Sequence, residues 1–157
     1  SCFIDPADPM FEQAGSIHGQ IAEYCRATGQ EPPESAAETM ACIYISLACG
    51  FASAADSVEQ LTGERRDTVY IVGGGAEDVL LCEMTACASG RRVVAGPSDA
   101  AALGNGISSL IALGEIKDVK SARRAISSGG LNAEYIPHDA EKWQKILSDY
   151  KKIVGKM

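Results

Sequence analysis

Three consecutive glycines, Gly73-Gly74-Gly75, close the apolar run TVYIV at residues 68–72, and two carboxylates, Glu77 and Asp78, follow at once. Glycines in a row allow positive φ and remove the Cβ atoms that would bar a ligand from the backbone. A tight strand-to-helix turn without a ligand needs the same residues, so the triplet alone leaves both readings open. The next apolar segment predicts a helix from about Glu77 to Ser89, whose first N–H groups point toward the same space. Glu77 and Asp78 at that helix start repel a phosphate. They suit a ribose hydroxyl or an adenine amino group, so the local chemistry favours the nucleoside end of a nucleotide over its phosphates. A dinucleotide fingerprint needs a third glycine and an acidic residue about 20 positions on, and a P-loop needs G-x-x-x-x-G-K-[ST]. Neither string is present.

The surrounding elements set where this turn lies. Residues 2–14, with Asp5-Pro6 and Asp8-Pro9, read as an extended arm. Ile17, Ile21, Tyr24 and Cys25 recur at helical spacing and predict a helix over 16–27. Pro32-Pro33 breaks the chain. Residues 34–63 predict one long helix, opened by a Ser35/Glu38 capping box and closed by Gly63. Along it Met40, Ile43, Tyr44, Leu47, Phe51, Ala54, Val58 and Leu61 form an apolar stripe, which predicts a largely buried helix. The strand at 68–72 has no polar alternation and predicts no solvent face. A second strand is expected at 92–95, ending in Gly96-Pro97. A helix over 99–113 follows, with Ser98 as its N-cap. Its small residues, including Ala100–Ala102, Gly104 and Gly106, predict close packing on a neighbour. Further elements are expected at 119–127 (helix, closed by Gly129-Gly130), 133–136 (extended) and 139–154 (helix, with Trp143, Ile146, Leu147, Tyr150 and Ile153 on one face). Strand, turn, helix, strand, helix is α/β grammar and implies parallel strands. The expected strands are too few for a full sheet. Either the domain is mostly helical or its remaining strands lie outside this chain, which would leave an open edge needing cover.

Composition narrows the function. The 157 residues fit about one domain, taken as 1–157 with an arm over 1–14 and a core over 16–154. A net charge of -7 argues against nucleic acid and anionic membranes as partners. The six cysteines form no C-x-x-C pair, and two histidines do not complete a zinc set, so the thiols read as buried small hydrophobes in a reducing compartment. His18 and His138 read as packing or turn residues. Arg65-Arg66, Arg91-Arg92 and Arg123-Arg124 read as solvated. No apolar run approaches the ~20 residues of a membrane span, and no signal segment is visible, which makes the cytoplasm the expected location. The chain starts at Ser1 with no initiator Met, which points to a piece of something longer.

Two strings together are far more specific than either. IVGGGAEDVLLCEMTA followed by GRRVVAGPSDAAALGNGISSLIALGEI resembles the C-terminal part of the FGGY carbohydrate kinases. The arm FIDPADPMF and the segment IAEYCRATGQEPPESAAETMACIYISLA resemble the rhamnulokinase branch of that family. The resemblance runs from about Phe3 to Gly114 and weakens from Lys117. It implies an α/β fold, part of an actin-like (ribonuclease H-like) ATPase C-terminal domain, helix-rich with few parallel strands. It implies ATP and Mg²⁺ as cofactors, with a sugar as acceptor. Carried over, Gly73, Gly74 and Gly75 line the adenosine pocket, with Glu77 and Asp78 at its edge. The branch usually has GGGSQN or GGGSKN where this chain has GGGAED. Ala95, Gly96, Pro97, Asp99, Ala102, Leu103, Gly104 and Asn105 match the family's AGP-x-E-A-x-ALGN, with Asp99 for Glu, and are expected to shape the helix behind the pocket.

The resemblance also says what is elsewhere. In this family the catalytic Asp and the phosphate-binding hairpins lie in earlier segments, which are not among these residues. No catalytic or metal-binding residue is therefore assigned here, and the metal site is expected mainly in the absent part. The expected partners are nucleotide, sugar and the missing N-terminal part, and an apolar face left uncovered could drive self-association. The parent is expected to phosphorylate the 1-hydroxyl of L-rhamnulose or a similar deoxy-ketose, with this chain inert alone. The rival expectation is a stand-alone binding or interaction module derived from the kinase's C-terminal half.

Overall fold

The computed structural model describes residues 2–128 and 133–155. Six helices and three strands follow in the order α1 (Ile17–Ala27), α2 (Ala36–Thr62), β1 (Thr68–Ile71), α3 (Val79–Ser89), β2 (Arg92–Ala95), α4 (Ala100–Ala112), α5 (Val119–Ser128), β3 (Ala133–Tyr135) and α6 (Ala140–Val154), with single 3₁₀ turns at Pro9–Glu12 and Gly74–Glu77. The Gly129-Gly130 helix stop lies outside the described residues.

Local signals explain most boundaries. Ser16 accepts from Gly19 N–H at the start of α1. Ser35 accepts from Glu38 N–H at 3.2 Å, and the Glu38 carboxylate reaches back to Glu34 N–H at 2.7 Å, so the capping box is closed one residue further out than usual. Gly63 ends α2 in the left-handed conformation at φ 68°. At α4 the expectation fails: Asp99, not Ser98, stands at the N-cap position, and its side chain makes no cap bond. Ser98 is drawn into the turn that follows β2.

β1 and β2 pair parallel, Val69 opposite Val93 and Ile71 opposite Ala95. β3 adds antiparallel to β2, giving the strand order β1-β2-β3. α3 covers one face of this sheet through Cys82 and Ala86 against Val93 and Ala95. α2, α3 and α6 meet in a second cluster of mostly small side chains, Ala48, Cys49, Ala52, Cys87 and Ala88, anchored by Trp143 and Tyr150. The arm joins this core. Gln30 accepts from Phe3 N–H and donates to Phe3 C=O, both at 2.8 Å, and Ser46 accepts from Ile4 N–H at 3.0 Å. Phe3 then meets the Tyr150 ring edge-on at 6.1 Å. All six cysteines are free and buried. Burial pushes the Cys49 thiol up to about 11 and the Cys25 thiol to about 12.

Four expectations are corrected. The apolar stripe of α2 is not its buried face. Small residues Cys42, Ser46, Cys49 and Ala52 are turned inward, while Met40, Phe51, Val58 and Leu61 are 42–87% exposed. Close approach of α2 to α3 at Cys49 and Ala52, and to the arm and α1 at Cys42 and Ser46, favours small side chains, which displaces the bulky ones outward. Second, β1 does have a solvent face: Tyr70 is 69% exposed, and Val72, just past the strand's end, is 57% exposed. Third, no part of α4 is buried, and a Cβ at Gly104 or Gly106 would meet nothing within 4 Å. Its small residues are not pressed against a described neighbour. Fourth, α2 is long and apolar enough to cross a membrane by length and composition. Here its inward face packs on α3, and its later turns carry Asp56 and Glu59 to Arg91.

Arg91 is the other departure. Its guanidinium is 9% exposed and binds Asp56 at 2.9 Å and Glu59 at 2.7 Å, and donates to Arg66 C=O at 3.1 Å. Lys151 on α6 holds the second Asp56 oxygen at 2.9 Å. This network joins α2, α6 and the entry to β2. Burial alone would raise the Asp56 carboxyl, but hydrogen bonds from Lys151 and Arg91 overcome it and hold the group below its ordinary value.

Candidate functional site

The two glycine-bearing turns lie side by side beyond the C-terminal ends of β1 and β2. Gly96 N–H donates to Ile71 C=O at 2.8 Å, and Gly73 N–H donates to Pro97 C=O at 3.1 Å. Both turns have residues fitted to this approach. Gly73 sits at φ 82°, ψ -168°, a backbone state that side chains resist. A Cβ on Gly96 would come within 3.2 Å of Val72 Cγ1. Gly74 has no such constraint, because its Cβ position faces open space.

Between the turns lies an open depression of about 560 Å³, lined among others by Ala76, Glu77, Pro97, Ser98, Asp99 and Leu103. Ala133 at the start of β3 forms part of its wall. Ligands of open parallel sheets gather at this end of the strands. The ionisable side chains on the lining are Glu77 and Asp99, both acidic. Apolar walls from Pro97, Leu103 and Ala76 suit a flat ring, and the carboxylates accept from an amino or hydroxyl group. Among the described residues the lining holds no cation to neutralise phosphates.

The structure separates the two carboxylates. Glu77 is exposed and lines the depression. Asp78 is turned to the protein: one oxygen caps α3 by accepting from Leu81 N–H at 3.0 Å, and the other accepts from Tyr44 O–H at 2.6 Å. The Tyr44 hydroxyl and then the Leu81 N–H hold the Asp78 carboxyl below its ordinary value, and the same bond raises Tyr44. α3 accordingly begins at Val79, and the residues Gly74–Glu77 form a 3₁₀ turn ahead of it. Gly73, Gly74 and Gly75 form the turn beside the depression rather than its lining. Sequence reasoning missed the lining role of Ser98 and Ala133 and the Tyr44–Asp78 bond. The cap was readable from Asp78 standing just before an apolar helical run; the bond to a residue 34 positions away was not.

Two larger depressions lie elsewhere, about 970 Å³ by the arm, Cys2 and Cys42, and about 700 Å³ between α2, α6 and Pro6. Neither adjoins the glycine turns. Among the described residues no three His, Cys, Asp or Glu side chains are placed to hold a metal ion.

Residues 2–113 match the model of the FGGY family of carbohydrate kinases, C-terminal domain. The chain is 35% identical over 154 residues to a rhamnulokinase of Ligilactobacillus salivarius, covering 98% of this chain and 32% of the relative. A rhamnulokinase of Bacteroides thetaiotaomicron is 37% identical over 151 residues, covering 96% of this chain and 31% of its own length. One of Enterococcus faecalis is 41% identical over 128 residues, covering 80% and 26%. The chain thus spans about a third of the length of the curated relatives it matches.

Proposed function

This chain belongs to the FGGY family of carbohydrate kinases, as its C-terminal domain, and on that footing we propose that the depression between the Gly73–Glu77 and Gly96–Leu103 turns receives the adenosine end of ATP. The observation that carries the reading is a depression with apolar walls, two exposed carboxylates and, among its described lining residues, no cation, at the C-terminal ends of parallel strands. Pro97 and Leu103 flank the base. Glu77 accepts a hydrogen bond from the adenine amino group or a ribose hydroxyl. Gly74 stands in the turn beside the depression, with open space where a Cβ would be. Asp78 acts through position: it caps α3 and ties the turn to α2. ATP with Mg²⁺ supplies the transferable phosphoryl group when bound, and the groups that hold the phosphates and the metal belong to the part outside this chain. The domain is read as part of an actin-like α/β fold.

The whole protein is read as a cytoplasmic kinase that phosphorylates the 1-hydroxyl of L-rhamnulose or a close deoxy-ketose. The base that such a transfer needs is not assigned to any residue here. The test is a coupled assay with ATP and L-rhamnulose on the full-length protein and on this chain. Turnover by the full-length protein and none by residues 1–157 is expected. Phosphorylation by the 157-residue chain alone would overturn the reading. A second reading, a stand-alone binding module, draws on GGGAED, because its exposed Glu77 stands on a lining with no cation among the described residues. Under that reading the full-length protein binds adenosine and transfers no phosphate.

A further inference from the structure

The Gly73–Glu77 turn is held unevenly along its length. At its entry two backbone bonds, Gly73 N–H to Pro97 C=O at 3.1 Å and Gly96 N–H to Ile71 C=O at 2.8 Å, tie it to the neighbouring turn. In its middle Ala76 packs on the cluster of Cys82, Ala86, Val93 and Ala95. Its exit is looser. Asp78 N–H reaches Gly75 C=O only at 3.4 Å, and the Glu77 side chain has no hydrogen-bond or ion-pair partner among the described residues. What fixes the exit is the Asp78 side chain. One oxygen accepts from Leu81 N–H, a local bond that orders the first turn of α3. The other accepts from Tyr44 O–H at 2.6 Å, the short distance of a charge-assisted bond. Among the described residues it is the hydrogen bond that joins this turn to α2.

Tyr44 is placed for this one bond. It stands on α2, where Cys42, Ser46, Ala48 and Cys49 on either side of it in sequence are buried, so its backbone is a firm support. Its side chain is half-buried and belongs to none of the apolar clusters of the core. Core filling therefore does not account for it. Its hydroxyl makes a single hydrogen bond, the one to Asp78. Asp78 follows Glu77 directly, so this bond sets where the Glu77 backbone stands at the depression. Tyr44 is not part of the lining and acts only through Asp78.

We propose that Tyr44 is a positioning residue for the nucleotide: through Asp78 it holds the Glu77 end of the turn in the place that receives the nucleoside. The inference rests on the adenosine reading of the depression. A misplacement of about 1 Å caused by a remote substitution costs up to about 100-fold in a site that depends on orientation. Here the Leu81 cap and the Pro97 bond remain, so the expected loss of nucleotide affinity on removing the Tyr44 hydroxyl is smaller, about 5–10-fold.

The test is a double-mutant cycle on the full-length protein, read by calorimetric titration with ADP. Tyr44→Phe keeps the ring and removes the donor. Asp78→Ser keeps a capping oxygen for α3 but is too short to hold Tyr44 as well. Each alone is expected to weaken ADP by about 5–10-fold, and the two together by no more than either one, because they break the same bond. In turnover, the KM for ATP should rise by that factor while kcat at saturating ATP stays within about twofold. A purely structural tyrosine lowers the melting temperature and leaves ADP affinity unchanged, and that result overturns the proposal. So does a Tyr44→Phe loss of the same size in the Asp78→Ser background. The two readings fail separately. ADP that leaves the amides of residues 74–77 unmoved refutes the adenosine reading and this inference with it. ADP that moves those amides yet binds the Tyr44→Phe protein with unchanged affinity refutes this inference alone.

Discussion

Arg91→Met removes the guanidinium while keeping an apolar stem of similar reach. The lost interactions are two charge-assisted bonds, to Asp56 and Glu59, and donations to the Arg66 and Ser89 carbonyls. Removing one partner of a fully buried ion pair costs about 3–5 kcal/mol, mostly from the charge left behind. Here the carboxylates are 33% and 34% exposed, and Lys151 still holds Asp56, so water and that lysine recover part of the loss. The expected cost is about 2–3 kcal/mol, or roughly 5–10 °C in melting temperature for a chain of this size. The neighbouring Arg92→Met is the control. Its ion pair with Glu134 has both side chains about half exposed and contributes at most about 1 kcal/mol. Urea unfolding of both variants at neutral pH and at a pH below the ordinary carboxylate value reads the difference. The Asp56 carboxyl is depressed in the folded protein, so its contribution is present above the ordinary carboxylate value and is lost as pH falls through the lower folded value. The Arg91→Met penalty should therefore shrink in acid. Equal stability of the two variants at neutral pH, or a penalty that does not change with pH, would refute the assignment.

Other outcomes follow from the site. Asp78→Ala should cost about 1–2 kcal/mol through the lost cap, while Asp78→Asn, which keeps the acceptor, should cost less than half as much in the same melts. Because Tyr44 and Leu81 depress the Asp78 carboxyl, its contribution persists above the ordinary carboxylate range and fades only as pH falls through the lower folded value. Gly73→Ala should cost about 2 kcal/mol from its φ of 82°, and Gly96→Ala about 1 kcal/mol from crowding Val72. Gly74→Ala meets only open space and should stay within about 0.5 kcal/mol, measured by thermal melting.

Helix existence and the parallel β1–β2 pair were legible because they rest on local signals: Ser16, Ser35 and Gly63 as caps, and β-branched runs between glycines. The family was legible because four segments agree in order and spacing with the matched residues 2–113. What failed was the assignment of faces. Periodicity marked the bulky side of α2 as core, but close packing needs small residues, so Cys49 and Ala52 face α3 while Cys42 and Ser46 face the arm and α1. Arg91 and Arg92 are adjacent and identical in type, yet alternate direction sends one to the acidic turns of α2 and the other to solvent. Glu77 and Asp78 divide in the same way. One lines the depression and the other is taken up by a helix cap and a tyrosine brought from another helix.

The most direct test of the adenosine assignment is a residue-resolved titration of the full-length protein with ADP and with adenosine. The amides of residues 74–77, 96 and 98–103 are expected to respond to both ligands in the same pattern, since the nucleoside end is held there. Saturating ADP that leaves those amides unmoved, or a response that requires the phosphates, would contradict it.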